Sequence, residues 1–433
     1  MLQINQNILA LIGASMVTTF MVAIMNKRFR LSPQVALVLI PSLFGLLIAN
    51  PIELGKWMKA GIEGVSNTGV MLTFAILYFT TMVEVGLFEP LVKRILQVVK
   101  GDPMKILLGT ALLSLLVSLD GDGASTYIIV VAALLPLYQK IGVSPLKLTT
   151  IVMLAGGVMN ILPWGGPTAR VMSALKLGAD QVFVPLTICM AVGALWVIGV
   201  AYWFGKAERK RIGIVHLQES EMAISDSKKP KFFWINLTLT VGLMVALIMN
   251  LLPLTVLFIL GFAIAMLINF PKIEDERARI MSFAGNALTV TSMVFAAGIF
   301  MGVGKESGML SALGQAFTRV IPDFLGSNLS VITAMASMPF TFFMSNDGFY
   351  FGVLPTLSEA ASHYSIGSAE MARASLLGQP VHLLSPLVPS TYLLVGLAGV
   401  EFGDHLKHTL KWAVGTVIVM TVTALLFGII HIR

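Results

Sequence analysis

The feature that most constrains this chain is a polar, glycine-rich stretch, SLDGDGASTY at residues 118–127, set inside a long hydrophobic region. It carries Asp120 and Asp122, and a charge at membrane depth costs about 2.5 kcal/mol or more unless it has a partner or water. The apolar flanks, 107–117 and 128–137, are well short of the roughly 20 residues that a helix needs to cross the hydrocarbon. The sequence therefore predicts a re-entrant hairpin at about 104–137, whose irregular tip lines a cavity.

Composition places the whole chain in the membrane. Hydrophobic residues make up 56% of the 433 residues and charged residues only 12%, with a mean hydropathy of +0.87; soluble proteins carry about a quarter charged residues. The net charge of +7 comes from short basic clusters between apolar runs, as in the cytoplasmic loops of membrane proteins. We therefore expect an all-α polytopic membrane protein in a lipid bilayer, with no nucleic-acid partner.

The chain divides into two similar halves. We predict a first half at 1–205, a polar cytoplasmic linker at 206–232 and a second half at 233–433. The apolar pattern predicts a span at about 182–205 that closes the first half and a span near 411–430 that closes the second.

Each half is predicted to contain the same irregular parts. Amphipathic stretches at 89–100 and 309–321 are expected at the membrane interface. The second half has its own re-entrant hairpin at about 328–361, with the tip MSNDGFYF. Prolines must interrupt a helix in ILPWGGPTAR at 161–170 and in GQPVHLLSPLVPST at 378–391.

Three landmarks recur in the same order at nearly one offset. The matched pairs are Glu84 and Glu306, Asp122 and Asp347, and Pro167 and Pro389, which lie 222, 225 and 222 residues apart. With the basic loops cytoplasmic, the halves are inverted repeats with about ten transmembrane helices and two hairpins in all. Inverted repeats with broken helices are typical of secondary transporters. No nucleotide-binding motif is present, so we expect an ion gradient to supply the energy.

The carboxylates at the two predicted tips indicate a cation. Asp120, Asp122 and Asp347 are the candidate metal ligands, because carboxylates would repel an anion and hard oxygen ligands suit Mg²⁺ or Ca²⁺. Neutral groups that could contact a substrate stand beside them, at Ser125, Thr126, Ser345, Asn346 and Gly348. The alternative is that Asp122 and Asp347 only cap the helix that follows.

The broken segments supply further candidate substrate ligands, because glycines and freed backbone amides can approach a carboxylate closely. The candidates are Asn160, Gly165, Gly166 and Thr168 in the first segment and Ser385, Ser390 and Thr391 in the second, with Gln379 beside them. The alternative is a proline kink held by packing. Arg170 could pair with a substrate carboxylate, but we favour an extended side chain that reaches a membrane face.

Three residues are candidates for proton coupling. His382 lies among apolar residues and can exchange a proton in the physiological pH range. Glu84 and Glu306 each end the third predicted span of their half. For all three we favour a structural role, as a hydrogen-bonded histidine and as helix-end charges.

Four strings resemble the citrate–divalent metal:proton symporter family, within the ion transporter superfamily. They are LDGDGASTY, GGVMNILPWGGPTAR, SNDGFYFGVLPTLSEA and GQPVHLLSPLVPSTYLLVG, and the resemblance runs along nearly the whole chain. It implies a carrier of the bacterial inner membrane that imports a citrate–metal complex with protons. It also implies a homodimer, with a transport domain that moves beside a scaffold. In that superfamily the hairpin tips and broken helices hold the substrate.

We therefore predict a secondary active transporter, not an enzyme, that imports citrate complexed with a divalent cation in symport with protons. The cation is a co-substrate, and no cofactor is expected. An alternative is a proton-coupled carrier or exchanger for another carboxylate or ion on the same fold. An intramembrane metalloenzyme is less favoured, because no nucleophile stands out near the aspartates. A structural or receptor role leaves the carboxylates at both tips unexplained.

Overall fold

The computed structural model of the protein describes residues 5–25, 31–87, 89–90, 94, 101–121, 123–214, 231–248, 251–318, 323–343, 346–385 and 387–433. Helices and short turns make up these ranges, which contain no strand. The predicted all-α class is confirmed.

The helices before the linker are Gln6–Met25, Pro33–Leu46, Pro51–Glu84, Pro103–Val117, Gly123–Ile141, Pro145–Met159, Gly166–Leu175 and Ala179–Ile212. Several of them begin with the same device, a polar side chain that accepts a backbone hydrogen bond just before a proline. Asn50 Oδ1 accepts from the amide of Glu53 at 3.0 Å, and Asp102 Oδ1 accepts from that of Met104 at 3.0 Å. These caps satisfy amides that a helix start leaves free, and proline lacks the amide that would need a partner.

The helices after the linker are Phe233–Ile248, Leu254–Asn269, Ile273–Glu306, Met309–Thr318, Asp323–Gly326, Leu329–Phe343, Leu354–Ser362, Ser368–Leu376, Gln379–His382, Pro389–Ala398 and Phe402–Leu426. Helices of equal length recur in the same order as in the first part. Pro51–Glu84 and Ile273–Glu306 each have 34 residues, and Pro103–Val117 and Leu329–Phe343 each have 15. The inverted orientation and the division at 206–232 stay predictions.

By length and composition, four helices in the described part of the chain can cross a membrane. They are Pro51–Glu84, Ala179–Ile212, Phe402–Leu426 and the apolar part of Ile273–Glu306, namely Ala287–Glu306. Several further apolar helices are shorter, such as Pro103–Val117 and Leu329–Phe343 with 15 residues each, which at 1.5 Å per residue is less than the hydrocarbon thickness of about 30 Å. The predicted number of about ten spans therefore stays a prediction.

Both predicted hairpins correspond to pairs of short helices. Pro103–Val117 ends in a 3₁₀ turn at Ser118–Asp120, and Gly123–Ile141 follows. The two arms are joined by a hydrogen bond of 2.8 Å between Thr110 Oγ1 and the Tyr138 hydroxyl. The second arm runs four residues beyond the predicted end at 137.

The second pair is Leu329–Phe343 and Leu354–Ser362, joined through a π-helical turn at Gly348–Val353. These bounds agree with the predicted hairpin at 328–361 to within a residue.

Two predicted helix bounds are wrong, both where charged or polar residues suggested a helix end. Ala179–Ile212 continues seven residues past the predicted end at 205. The reason is that Glu208 is buried and pairs with Lys147 of another helix and with Arg211 of the same helix. Its charge is therefore neutralised, and the helix can continue past it. The helix therefore extends into the first residues of the predicted linker.

The last helix, Phe402–Leu426, begins nine residues before the predicted start at 411. Its first turns bury His405, whose Nδ1 lies 3.0 Å from Thr149 Oγ1, and Thr409, whose hydroxyl lies 2.8 Å from that of Thr150. The Thr409 hydroxyl and His405 Nδ1 thus have partners on another helix, Pro145–Met159.

Of the two predicted interfacial stretches, 89–100 falls largely outside the described residues. The second is the helix Met309–Thr318. Its first residue is fully buried, and a Cβ on Gly13 would lie 2.8 Å from the Met309 carbonyl oxygen. One face of this helix therefore packs against the first helix of the chain.

Two of the 34-residue helices, Pro51–Glu84 and Ile273–Glu306, cross at glycines. A Cβ on Gly61 would lie 2.0 Å from the carbonyl oxygen of Gly298, and a Cβ on Gly302 would lie 2.4 Å from that of Trp57. Small residues let helix backbones approach closely in membranes, where van der Waals packing drives helix association. This contact joins the first and second parts of the chain.

We expect Gly61→Ala to destabilise the protein, because the added methyl group must push these helices apart at a cost of about 1–3 kcal/mol. The matched control is Gly55→Ala in the same helix, where an added Cβ meets nothing within 4 Å. It should be neutral or slightly stabilising, since alanine is the better helix former. Thermal unfolding of both variants in detergent checks this, and equal midpoints for the two variants would contradict it.

Candidate functional site

Four irregular segments meet in the protein. We call them the first tip (118–123), the first break (160–166), the second tip (346–353) and the second break (378–391). The breaks follow the helices Pro145–Met159 and Ser368–Leu376. Hydrogen bonds described below connect each tip to a break, and polar side chains connect the two breaks.

The first break braces the first tip through Trp164. The indole Nε1–H donates to the carbonyl oxygen of Leu119 at 2.9 Å, and the ring stacks on Phe79 with centroids 4.6 Å apart. The tip can pass this close because Gly121 adopts φ 76°, and a Cβ there would lie 2.7 Å from Trp164 Cδ1. Sequence reasoning did not select this tryptophan, although an indole donor between proline and glycine was a signal for it.

A chain of amides connects the two breaks to the second tip. Asn160 Nδ2 donates to Gln379 Oε1 at 3.1 Å, and Gln379 Nε2 donates to Asn346 Oδ1 at 3.2 Å. The same Nε2 group donates to the Tyr350 hydroxyl at 2.8 Å. Gln379 is fully buried, so each of these bonds stabilises a group that would otherwise lie unpaired in a low dielectric.

An ion pair joins the first part of the chain to the second tip. Arg170 Nε lies 2.6 Å from Asp347 Oδ1, with side chains that are 25% and 11% exposed. Arg170 Nη1 also donates to the Gly166 carbonyl oxygen at 2.9 Å. The favoured interpretation of Arg170 as a residue that reaches a membrane face is therefore wrong. Its guanidinium lies inside, where a carboxylate and a freed backbone carbonyl attract it.

Several of the predicted substrate ligands bond to the backbone near the breaks. Thr168 Oγ1 donates to the Ile161 carbonyl oxygen at 2.9 Å, and Ser385 Oγ donates to that of Phe342 at 2.6 Å. Thr391 Oγ1 donates to the carbonyl oxygen of Leu383. In this arrangement the three hydroxyls satisfy carbonyl groups, as irregular backbone in a membrane protein requires.

The remaining predicted ligands surround the same region. Thr126 is fully buried, and its hydroxyl has no hydrogen-bond partner among the described residues. A Cβ on Gly123 would lie 3.7 Å from Ser390 Oγ, so the first tip lies beside the second break.

The glycines of these segments differ in what they permit. Gly165 allows a tight turn, since a Cβ there would lie 2.2 Å from the Asn160 carbonyl oxygen. Gly166 faces only the flexible end of Arg170, and Gly348 is buried at the start of the π-helical turn.

The structure describes four of the predicted site residues incompletely or not at all. Asp122 and Ser345 lie outside the described residues, and the side chains of Asp120 and Ser125 are not described. Elsewhere in the described chain, no group of three or more histidine, cysteine, aspartate or glutamate side chains could hold a metal ion. The predicted metal ligands at the first tip stay predictions.

Of the proton-coupling candidates, only His382 lies in the four segments. It is buried, and its Nδ1 lies 2.7 Å from the Thr341 carbonyl oxygen. Because a carbonyl only accepts, Nδ1 carries the hydrogen, and in the neutral ring Nε2 is left as the nitrogen that can take up a proton. Glu84 pairs with Arg279, and Glu306 lies 3.8 Å from Lys176, away from the tips and breaks.

Broken helices that gather amides, hydroxyls and an ion pair in the interior of an all-helical protein are typical of membrane transporters. The comparisons agree. The family model for citrate transporters, CitMHS, matches residues 7–378. The chain belongs to this citrate transporter family, and it is a multi-pass membrane transporter rather than an enzyme.

Two relatives from Bacillus subtilis (strain 168) cover nearly the whole chain. The protein is 56% identical over 425 residues to a "Citrate transporter", covering 98% of this chain and 99% of that one. It is 47% identical over 432 residues to a "Mg(2+)/citrate complex secondary transporter", again covering 98% and 99%.

Among solved structures, the Alcanivorax borkumensis YdaH transporter, described as having an unusual topology, matches with a TM-score of 0.63 at 14% identity, over 96% of this chain and 98% of that chain. At that identity the likeness shows a shared fold.

We expect Trp164→Phe to loosen the first tip, because phenylalanine keeps the stacking but loses the hydrogen bond to Leu119, a loss of about 1 kcal/mol. Hydrogen–deuterium exchange of peptides covering 118–123 should accelerate about fivefold. The control is Trp412→Phe, since the buried Trp412 Nε1 has no partner among the described residues. Unchanged exchange in the tip of the Trp164 variant would contradict the bracing role.

Proposed function

We propose that this protein imports citrate as a complex with a divalent cation, driven by protons, across the bacterial plasma membrane. Membership of the citrate transporter family supports the substrate class, and the name of one relative specifies a Mg²⁺–citrate complex. On this proposal the cation is a co-substrate that enters with citrate.

The observation that carries the proposal is the mixed charge of the site. Arg170, the amides of Asn160 and Asn346 and the hydroxyl of Thr126 suit a carboxylate, whereas Asp347 suits a cation. A fully ionised citrate that holds one divalent cation keeps a single net negative charge and presents both kinds of group. Hard oxygen ligands such as Asp120, Asp122 and Asp347 would face the metal, and the donors would face citrate.

Proton coupling is proposed to use His382. Its place in the second break, its burial and its bond to Thr341 support this choice over Glu84 and Glu306, which pair with basic side chains elsewhere. The recurring helix lengths support the proposal that the halves are inverted repeats, with about ten transmembrane helices. A homodimer with a moving transport domain remains the expectation from the family resemblance.

We expect uptake of labelled citrate by cells that express this chain to stop when a chelator removes divalent cations. Adding back Mg²⁺, Ca²⁺, Mn²⁺ or Zn²⁺ singly should restore it for one group of ions, and a protonophore should abolish it again. Uptake that does not depend on divalent cations would instead indicate a carrier for a free carboxylate. No citrate uptake under any condition, with the protein correctly inserted, would contradict the proposal as a whole.

Asp122→Asn should lower metal-dependent uptake at least tenfold, because an amide binds a divalent cation much more weakly than a carboxylate does. The amount of protein in the membrane should be unchanged. The matched control is Asp404→Asn, an exposed aspartate in the first turn of the last helix, which should transport normally. Wild-type kinetics in the Asp122 variant would show that this residue only caps a helix.

A further inference from the structure

The Arg170–Asp347 pair lies where the cargo would have to bind. Asp347 is at the second tip and Arg170 follows the first break, so the pair connects the two parts of the site. Within the described chain, each is the other's only charged partner. The pair is mostly buried and carries no net charge. In a low dielectric, a paired charge costs less free energy than an unpaired one.

The geometry leaves Arg170 able to change partners. Nη1 is held by the Gly166 carbonyl oxygen, and Asp347 occupies Nε. A carboxylate that approaches the Nε and Nη2 edge can form two parallel bonds there. Citrate presents the same chemical group as Asp347, so a substrate carboxylate and Asp347 compete for one edge of the guanidinium.

The second tip can keep its position when the Asp347 carboxylate separates from Arg170. Its neighbour Asn346 is held by Gln379, which is itself held by Asn160. Tyr350 in the same tip also bonds to Gln379 and donates to the Ser375 carbonyl oxygen at 3.3 Å. A change of partner at Asp347 therefore requires a side-chain movement and not a rearrangement of the tip.

We propose that Arg170 and Asp347 are partners of each other in the empty carrier and separate when the cargo binds, Arg170 taking a citrate carboxylate and Asp347 facing the cation. This inference rests on the proposed function and adds a role for the empty state. The pair lets the unloaded site return across the membrane without an unpaired charge, which would be costly at that depth.

The test compares two activities of purified protein in proteoliposomes, using Mg²⁺ and citrate. Net uptake requires the empty site to return, whereas exchange of internal for external citrate returns the site loaded. Asp347→Asn leaves Arg170 unpaired only in the empty state. Because Asp347 also faces the cation, both activities should fall, but the ratio of net uptake to exchange should fall at least tenfold below that of wild type.

A second variant tests the charge directly. Arg170→Gln combined with Asp347→Asn removes both charges, so the ratio of net uptake to exchange should rise again to that of wild type, even though both rates are low because no arginine binds the carboxylate. If Asp347→Asn does not fold, the double variant alone still tests the inference, because its ratio of net uptake to exchange should match that of wild type. Arg170→Gln alone should lower both activities, since the carboxylate has no partner, and its ratio of net uptake to exchange should also fall because Asp347 is unpaired in the empty state.

The control is a buried ion pair outside the site. Glu370 lies 3.2 Å from Arg433 and is 6% exposed, and Glu370→Gln should change net uptake and exchange by the same factor. The inference is overturned if Asp347→Asn lowers both activities equally, or if the ratio of net uptake to exchange stays as low in the double variant as in Asp347→Asn. If vesicles with the wild-type protein neither take up nor exchange citrate, the proposed function itself is overturned.

Discussion

The structure depends on one constraint, that backbone polar groups inside a membrane need a partner within the protein. Each tip and break frees such groups, and nearby side chains satisfy them. Trp164 donates to Leu119, Thr168 to Ile161 and Ser385 to Phe342. Polar residues in these segments therefore have a structural task even without cargo, and their presence alone does not identify a ligand. Within the described residues, a buried polar group without a partner beside the tips, such as the Thr126 hydroxyl, is a stronger candidate for a ligand.

Local patterns in the sequence predicted the parts of the fold that depend on local chemistry. The short apolar runs beside Asp122 and Asp347 predicted pairs of short helices, and the prolines at 163, 167 and 380 predicted the breaks. The helix ends near 205 and 411 could not be predicted this way. A charge suggests a helix end only if it is unpaired, and Lys147, which pairs with Glu208, and Thr149, which contacts His405, both come from another helix.

The central contact of the site was also beyond local patterns. Arg170 and Asp347 are 177 residues apart, and a long basic side chain near apolar residues is equally compatible with a membrane face. Gln379 was noted only as a neighbour of other ligands, and Tyr350 resembled packing material, yet both hold the second tip. Such pairings follow from how the tips and breaks meet, which only the three-dimensional arrangement shows.

The chemistry of the site differs between the halves more than the helix lengths do. The residue 222 positions after Arg170 is Tyr392, whose ring stacks on Phe402 with centroids 4.8 Å apart. The first tip carries two aspartates, and the second carries one that Arg170 neutralises. A repeated scaffold with the same chemistry in both halves would suit a symmetric cargo. On the proposed function, two aspartates at the first tip and an arginine–aspartate pair at the second tip suit a cargo that carries both a cation and free carboxylate, as a metal–citrate complex does.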